Sequence, residues 1–472
     1  MALRFLASSR KFSQPLQIFI RSSSALTARE VLQNVPGAEL TCLNNGFRIA
    51  SENNARPTAT VGVWINAGSR HETEENNGVA HYLEHLLYRG TKNMSQTELE
   101  NQLSNIGARF KSYVTRDNSA YFIECASNDV EQAVGILADI LRNNNLNEGT
   151  VERERDRILQ ELEDAEENIH NVVFDYLHQT AFQGTPFSKS VLGPTKNIES
   201  MNLKQIKNFL EDNFKPTRMV LTGVGNVDHG HLVSLSEKYF GDLENTYPRK
   251  LPSVGGIRFT GSEFLYRNDN IPLMYGAIAV EGVACGHKDA LTLQIATTCL
   301  GQWDRTFGSS VDGPTRLIQK IALDPHLYQL IPFSLNYKDC GLFGFYFVHD
   351  GADLSDIRPI VKLVQKEWKY LCYAVDDDEI DRAKNMLKTE IFLTLESSTS
   401  RADYIGKQVL YTDNVRKLAD LEQDIEAVDK HSVRSAMSEH VYDRDIACAG
   451  AGRTEAFPQY ADVRYGMSWW RI

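Results

Sequence analysis

The sequence predicts two homologous domains, each a sheet packed with helices in an α+β or α/β arrangement, and three observations carry this. At an offset of 227 residues, IESMNLKQIKNFLEDNFKPTRMVLTGVG (198–225) lies without a gap over IEAVDKHSVRSAMSEHVYDRDIACAGAG (425–452). The same offset carries VERERDRILQEL onto DEIDRAKNMLKT, and two matches at one offset point to duplication. Strand-like and helix-like segments alternate within each half. A turn-rich stretch, YPRKLPSVGGIRFTGS from Tyr247, separates the halves.

The 472 residues exceed what one core supports, so domains of roughly 210–220 residues are the natural division. TATVGVWINAGSR and AYFIECAS, rich in β-branched and aromatic residues, predict strands. VEQAVGILADILRN and TELENQLSNIG have the apolar spacing of amphipathic helices. The two superposed stretches each read as a helix, a polar turn at KPTR or YDRD, and a short apolar strand ending in GxG.

The N-terminus has another character. Arg4, Arg10, Lys11, Arg21 and Arg29 precede the first acid, Glu30, with serines and isolated apolar residues between them. This pattern predicts a mitochondrial transit peptide, assigned to residues 1–28, with cleavage near residues 22–29. The remaining boundaries follow: a first domain over 29–246, a linker over 247–262 and a second domain over 263–472. Removing the first 24 residues shifts the formal charge from −12 to −16, since four basic groups and no acids are lost. So acidic a chain argues against nucleic acid as a partner and suits a basic one. No run approaches the length of a membrane span, so contact with a membrane is expected to be peripheral, through partners. Seven scattered cysteines without a CxxC pair read as free thiols.

HYLEH, residues 81–85, places His81 and His85 at i and i+4 on one helix face, where both imidazoles reach a single zinc. Tetrahedral coordination then needs another protein ligand and a water. Glu84 points away from His85 and suits a base better than a ligand. A second helix, VERERDRILQELEDAEENIHNVVFDYLHQ, offers Glu154 and Glu161, seven apart and so on one face. By spacing, either could be the third ligand. In the second half Glu161 falls on Lys388 and HxxEH does not recur, so only the first half is expected to hold metal.

HYLEHLLYRGT, with Glu161 following 76 residues after His85 in ERERDRILQELE, resembles the M16 (pitrilysin-type, inverted-zinc) metallopeptidases. The closest resemblance is to the branch holding the β subunit of mitochondrial processing peptidase and the core 1 subunit of the cytochrome bc1 complex. IGARFKSYVTRDNSAYF, VVFDYLHQTAFQGTPFSKSVLGP, GQWDRTFGSS, NYKDCGLFGFYF and the C-terminal GMSWWRI extend it along the whole chain after the presequence. The resemblance implies an α+β fold of two M16 (LuxS/metalloprotease-like) domains and a second M16 chain as partner. It implies His81, His85 and Glu161 as zinc ligands, Glu84 as base, and Glu154 as a carboxylate holding a ligand histidine.

Other positions depart from the peptidase pattern. Where an NAYTSRE-like strand is expected, KSYVTRD places Lys111 beside the metal, an unfavourable cation. The Glu–Asp pair that would clamp a presequence arginine becomes Asn171 and Asp175, losing half of a charge-assisted contact. Tyr88 and Arg89 are milder changes. GSSVDG at 308–313 is not the glycine-rich loop a peptidase partner supplies. The resemblance therefore implies a core 1 subunit of respiratory complex III (ubiquinol–cytochrome c reductase) on the matrix side of the mitochondrial inner membrane. It would pair with a core 2 or α-type chain and contact cytochrome b, cytochrome c1 and the iron–sulfur subunit. One zinc is expected, and no haem or quinone on this chain. The alternatives are a zinc endopeptidase β subunit removing presequences, or one subunit with both roles.

Overall fold

The computed structural model describes residues 28–247, 255–307, 312–351 and 357–468. The transit peptide, apart from Ala28, lies outside them, as do 248–254 of the linker, 308–311 and the terminal WWRI. Two six-stranded sheets organise the chain. The first contains β1 (Glu39–Cys42), β2 (Arg48–Asn53), β3 (Thr58–Ile65), β4 (Arg109–Val114), β5 (Ser119–Ala126) and β6 (Met219–Gly225) in the order β1-β2-β6-β3-β5-β4. The second contains β7 (Ser262–Arg267), β8 (Met274–Glu281), β9 (Trp303–Asp304), β10 (Leu327–Asn336), β11 (Gly341–His349) and β12 (Ile446–Gly452) in the order β7-β12-β8-β11-β10-β9.

Five strands of each sheet share one topology: β2-β6-β3-β5-β4 corresponds to β7-β12-β8-β11-β10. In each case the outer pair is parallel and the rest antiparallel. This is the duplicated α+β architecture. The GxG endings of β6 and β12 have a shared backbone reason. Gly225 and Gly452 have φ of +141° and +93°, and a Cβ there would lie 2.6 Å from the Thr58 carbonyl oxygen and 2.1 Å from that of Leu273.

Alternation along the strands sends residues to two different cores. Ala59, Val61, Val63 and Ile65 of β3 join the helices of the first half, including Val79–Leu87 and Val130–Arg142, while Trp64 faces the other way. That second face is covered by a helix from the other half, Ser398–Thr412, through Ala402, Ile405 and Val409. The converse holds as well. Helix Ile169–Ala181 of the first half lays Val173, Leu177 and Ala181 against Ala277, Ala279, Ala447, Ala449 and Ala451 of the second sheet. Small strand residues let the helix approach closely. The two exchanged helices occupy equivalent places after the duplication offset.

The long helix expected over VERERDRILQELEDAEENIHNVVFDYLHQ divides in two, Glu148–Glu167 and Ile169–Ala181. Asn168 ends the first and caps the second, its side chain accepting the Asn171 N–H. The break turns the second segment out of its own half onto the far sheet.

A buried ion pair fastens one exchanged helix. Arg401 donates to both oxygens of Glu52 on β2 at 2.5–3.0 Å, both residues being 3% exposed. Removing one partner strands a buried charge. Arg401→Met is expected to destabilise the protein by about 3–5 kcal/mol. The double variant Glu52→Gln, Arg401→Met should recover a large part of that loss in urea denaturation.

Candidate metal centre

Helix Val79–Leu87 begins at Gly78, whose φ of +100° and close neighbours, Ile198 Cδ1 and the Leu192 carbonyl, exclude a side chain. Its free amides are held by Glu72, whose carboxylate accepts the Gly78 and Ala80 N–H groups at 2.8 Å and Asn77 Nδ2 at 2.7 Å. Burial pushes this carboxyl up to about 7, opposed by the donors of Asn77, Ala80 and Gly78. Glu72 thus sets where the motif helix starts, and with it the histidines.

Three donors converge as the sequence predicts. His81 and His85 Nε2 lie 3.3 Å apart; Glu161 Oε1 is 3.4 Å from His81 Nε2, and its Oε2 is 2.9 Å from His85 Nε2. Ligand atoms of a tetrahedral zinc stand roughly 3.3–3.6 Å apart, so the spacing fits the ion. Two imidazole nitrogens facing each other at 3.3 Å also need a proton or a cation between them. Of the two glutamates that spacing allowed, Glu161 is the one at the histidines. Their hydrogen bonds, His81 first and His85 next, hold its carboxyl well below the usual range. His81, His85 and Glu161 therefore form a group able to hold a metal ion.

Glu84 lies apart from this set, with Ser112 Oγ donating to its Oε1 at 2.8 Å. Burial raises its pKa, opposed by the Ser112 hydrogen bond and then by the charges of His81 and His85. A carboxylate so placed can take and hold a proton beside the metal group.

Glu154 differs from its expected role. It is 3% exposed, with Oε2 2.8 Å from Arg89 Nη2 and Oε1 3.4 Å from Arg157 Nη1. Among the described residues no hydrogen bond joins it to a histidine, and His81 Nδ1 is buried with no hydrogen-bond partner. The guanidinium of Arg89, read from sequence as a mild change, faces this carboxylate, while Tyr88 stacks on Phe110.

Lys111 is also elsewhere. Ser112 faces the motif helix, and strand alternation sends its neighbour Lys111 to the opposite face of β4, 2.7 Å from Glu124 Oε1. Thr399 of the exchanged helix meets the same oxygen. The cation expected beside the metal is therefore screened from it by the sheet. Asp175 is engaged by the chain's own Arg116, and Asn171 sits at the exposed start of helix Ile169–Ala181. Both line a cleft of about 820 Å³ with Arg116. Ser112, Glu72 and Arg116 were absent from the sequence reading. The Phe110/Ser112 alternation facing the motif helix could have found Ser112; nothing local marks Glu72.

Residues 48–195 match the family described as Insulinase (Peptidase family M16), and 200–387 match Peptidase M16 inactive domain. A relative from Caenorhabditis elegans, "Cytochrome b-c1 complex subunit 1, mitochondrial", is 50% identical over 100% of both chains. "Mitochondrial-processing peptidase subunit beta" of Mus musculus is 40% identical over 99% of this chain and 95% of its own. A solved chain from "Complex III2 from Candida albicans, Inz-5 bound" superposes with a TM-score of 0.82 at 23% identity, covering 92% of this chain and 100% of that one, a likeness of fold.

Two outcomes test the local geometry. Glu72→Ala, which unpairs two backbone amides, should cost about 2–3 kcal/mol in denaturant titrations. Lys111→Asn should leave the metal affinity of the histidine group unchanged and cost at most about 1 kcal/mol, since its ion pair is half-exposed.

Proposed function

This chain belongs to the M16 peptidase family, and from that premise we propose that it is a core 1-type structural subunit of respiratory complex III. The carrying observation is the end-to-end identity of 50% with a relative named as cytochrome b-c1 complex subunit 1, against 40% for a processing-peptidase β subunit. In this reading the chain lies on the matrix side of the mitochondrial inner membrane, paired with a core 2-type M16 chain. It touches cytochrome b, cytochrome c1 and the iron–sulfur subunit without binding haem or quinone. Among the described residues no helix is long and apolar enough to cross a membrane, which accords with attachment through partners.

The metal group supports a second, weaker role as a zinc endopeptidase β subunit. His81, His85 and Glu161 would hold zinc, whose Lewis acidity supplies the polarising charge for peptide hydrolysis. Glu84, oriented by Ser112, would take a proton and return it to the leaving amine. Substrate grip is the missing part. An incoming arginine would meet the neutral Asn171 and would compete with Arg116 for Asp175. Loss of one charge-assisted contact weakens transition-state binding without touching the metal.

Isolation of the native assembly after mild detergent extraction tests the first role. The chain should copurify with haem-bearing inner-membrane subunits. Recovery solely as a soluble heterodimer with another M16 chain would refute it.

For the second role, the parent mixed with a competent α-type partner should cleave an arginine-containing presequence peptide slowly. Asn171→Glu should raise kcat/KM by about tenfold, equivalent to roughly 1.4 kcal/mol. Glu84→Gln in that background should abolish the gain. Zinc content should fall in His81→Ala, His85→Ala, and rapid Glu84-dependent cleavage by the parent would overturn the weak-grip reading.

A further inference from the structure

We propose that His287, Asp289 and His440 form a second divalent-metal site, in the half of the chain that lacks HxxEH. His440 Nε2 lies 3.1 Å from Asp289 Oδ2, and His287 Nδ1 lies 3.7 Å from the same oxygen. The imidazole rings meet edge to face with centroids 5.5 Å apart. One ligand atom from each residue falls within 4.8 Å of the other two. These separations bracket the roughly 3.3–3.6 Å between ligand atoms of a tetrahedral ion, so small rotations of three side chains close the set.

The cluster is built from two distant parts of the chain. His287 and Asp289 immediately precede helix Ala290–Leu300, and His440 is the last residue of helix Lys430–His440. Helix Lys430–His440 ends in carbonyls that favour a cation there. Asp289 occupies the N-cap position of its helix, yet its side chain makes no capping hydrogen bond and turns to the histidines instead. His287 Nδ1 accepts the Asp289 backbone N–H at 3.2 Å, which leaves this nitrogen unprotonated, 3.7 Å from Asp289 Oδ2. Metal coordination would replace that bond.

Two imidazoles and one carboxylate select zinc or a similar borderline ion over magnesium or calcium, which require mostly oxygen ligands. Asp289 and His440 side chains are 16% exposed and that of His287 37%, so the fourth position opens to solvent and admits water or a donor from a bound partner. Duplication did not create the site. At the offset of 227 residues His440 falls on Asn213, which is outside the group of His81, His85 and Glu161.

The test uses the full chain freed of metal with a chelator, with cobalt(II) and zinc added alone. The parent should take up two equivalents of metal. His81→Ala, His85→Ala should retain one equivalent, with the visible absorption of tetrahedral cobalt(II). Adding His287→Ala and His440→Ala to that background should remove it, lowering affinity at least a hundredfold. Asp289→Asn, which keeps side-chain volume, should weaken the second equivalent at least tenfold and abolish the zinc-induced rise in Tm, with the metal-free Tm preserved. The proposal is overturned if the His81, His85 variant takes up no cobalt(II), or if Asp289→Asn binds as tightly as its background. Either result leaves the first site standing, because each equivalent is scored by its own variants.

Discussion

The reciprocal exchange of one helix between the two sheets is the constraint on which the rest of the molecule depends. Each sheet buries its first face under helices of its own half and its second under a helix from the other half. A sheet with one bare apolar face cannot stand alone in water. The exchanged helix Ser398–Thr412 is fixed by Trp64, whose Nε1 donates to Asp403 at 2.9 Å, by contact of that ring with Gly406, and by the Glu52–Arg401 pair. Polar groups at such a junction must be satisfied together, so the halves have a single mutual register. Metal ligands from helices of the first half are thereby backed by a sheet whose other side belongs to the second.

Much of this was legible because its causes are local. β-branched and aromatic residues marked β3 and β5, and the offset matched helix Leu203–Asn213 to Lys430–His440 and β6 to β12 residue for residue. The i, i+4 histidines needed only a helix to converge. What escaped depended on direction in space. Asn168 reads as one polar residue in an acidic helix, and nothing in the composition says that the chain turns there toward another sheet. Lys111 was misplaced for the opposite reason. Resemblance to a substrate-holding strand suggested a place beside the metal, whereas alternation turns Lys111 to the face opposite Ser112. Arg89, Arg116 and the His287–Asp289–His440 group involve partners far apart in sequence, and only the folded chain pairs them.

In the proposed peptidase role, the exchange would separate catalysis from grip. Groups suited to the chemistry lie on the motif helix, the acidic helix Glu148–Glu167 and β4, all in the first half's own layer. Asp175 and Asn171 lie beyond Asn168, on the helix that covers the second sheet. Under that proposal, substitutions there would change how a cationic segment is held without disturbing His81, His85 or Glu161. A carboxylate already engaged by Arg116 offers a peptide arginine only the difference between two similar contacts.

The second half carries the same scaffold without an HxxEH group. Helix Ala290–Leu300 follows β8 as the motif helix follows β3, and it buries Leu293, Ala296 and Leu300 without a histidine among them. Lys388, at the offset position of Glu161, forms an ion pair with Glu426. A cation at that place satisfies a neighbouring helix and excludes a metal by charge. The duplicated framework thus recurs in the second half without the counterparts of His81, His85 and Glu161. Their mutual spacing in this chain, with Glu84 held by Ser112, is thus a feature of chemistry that the architecture by itself does not demand.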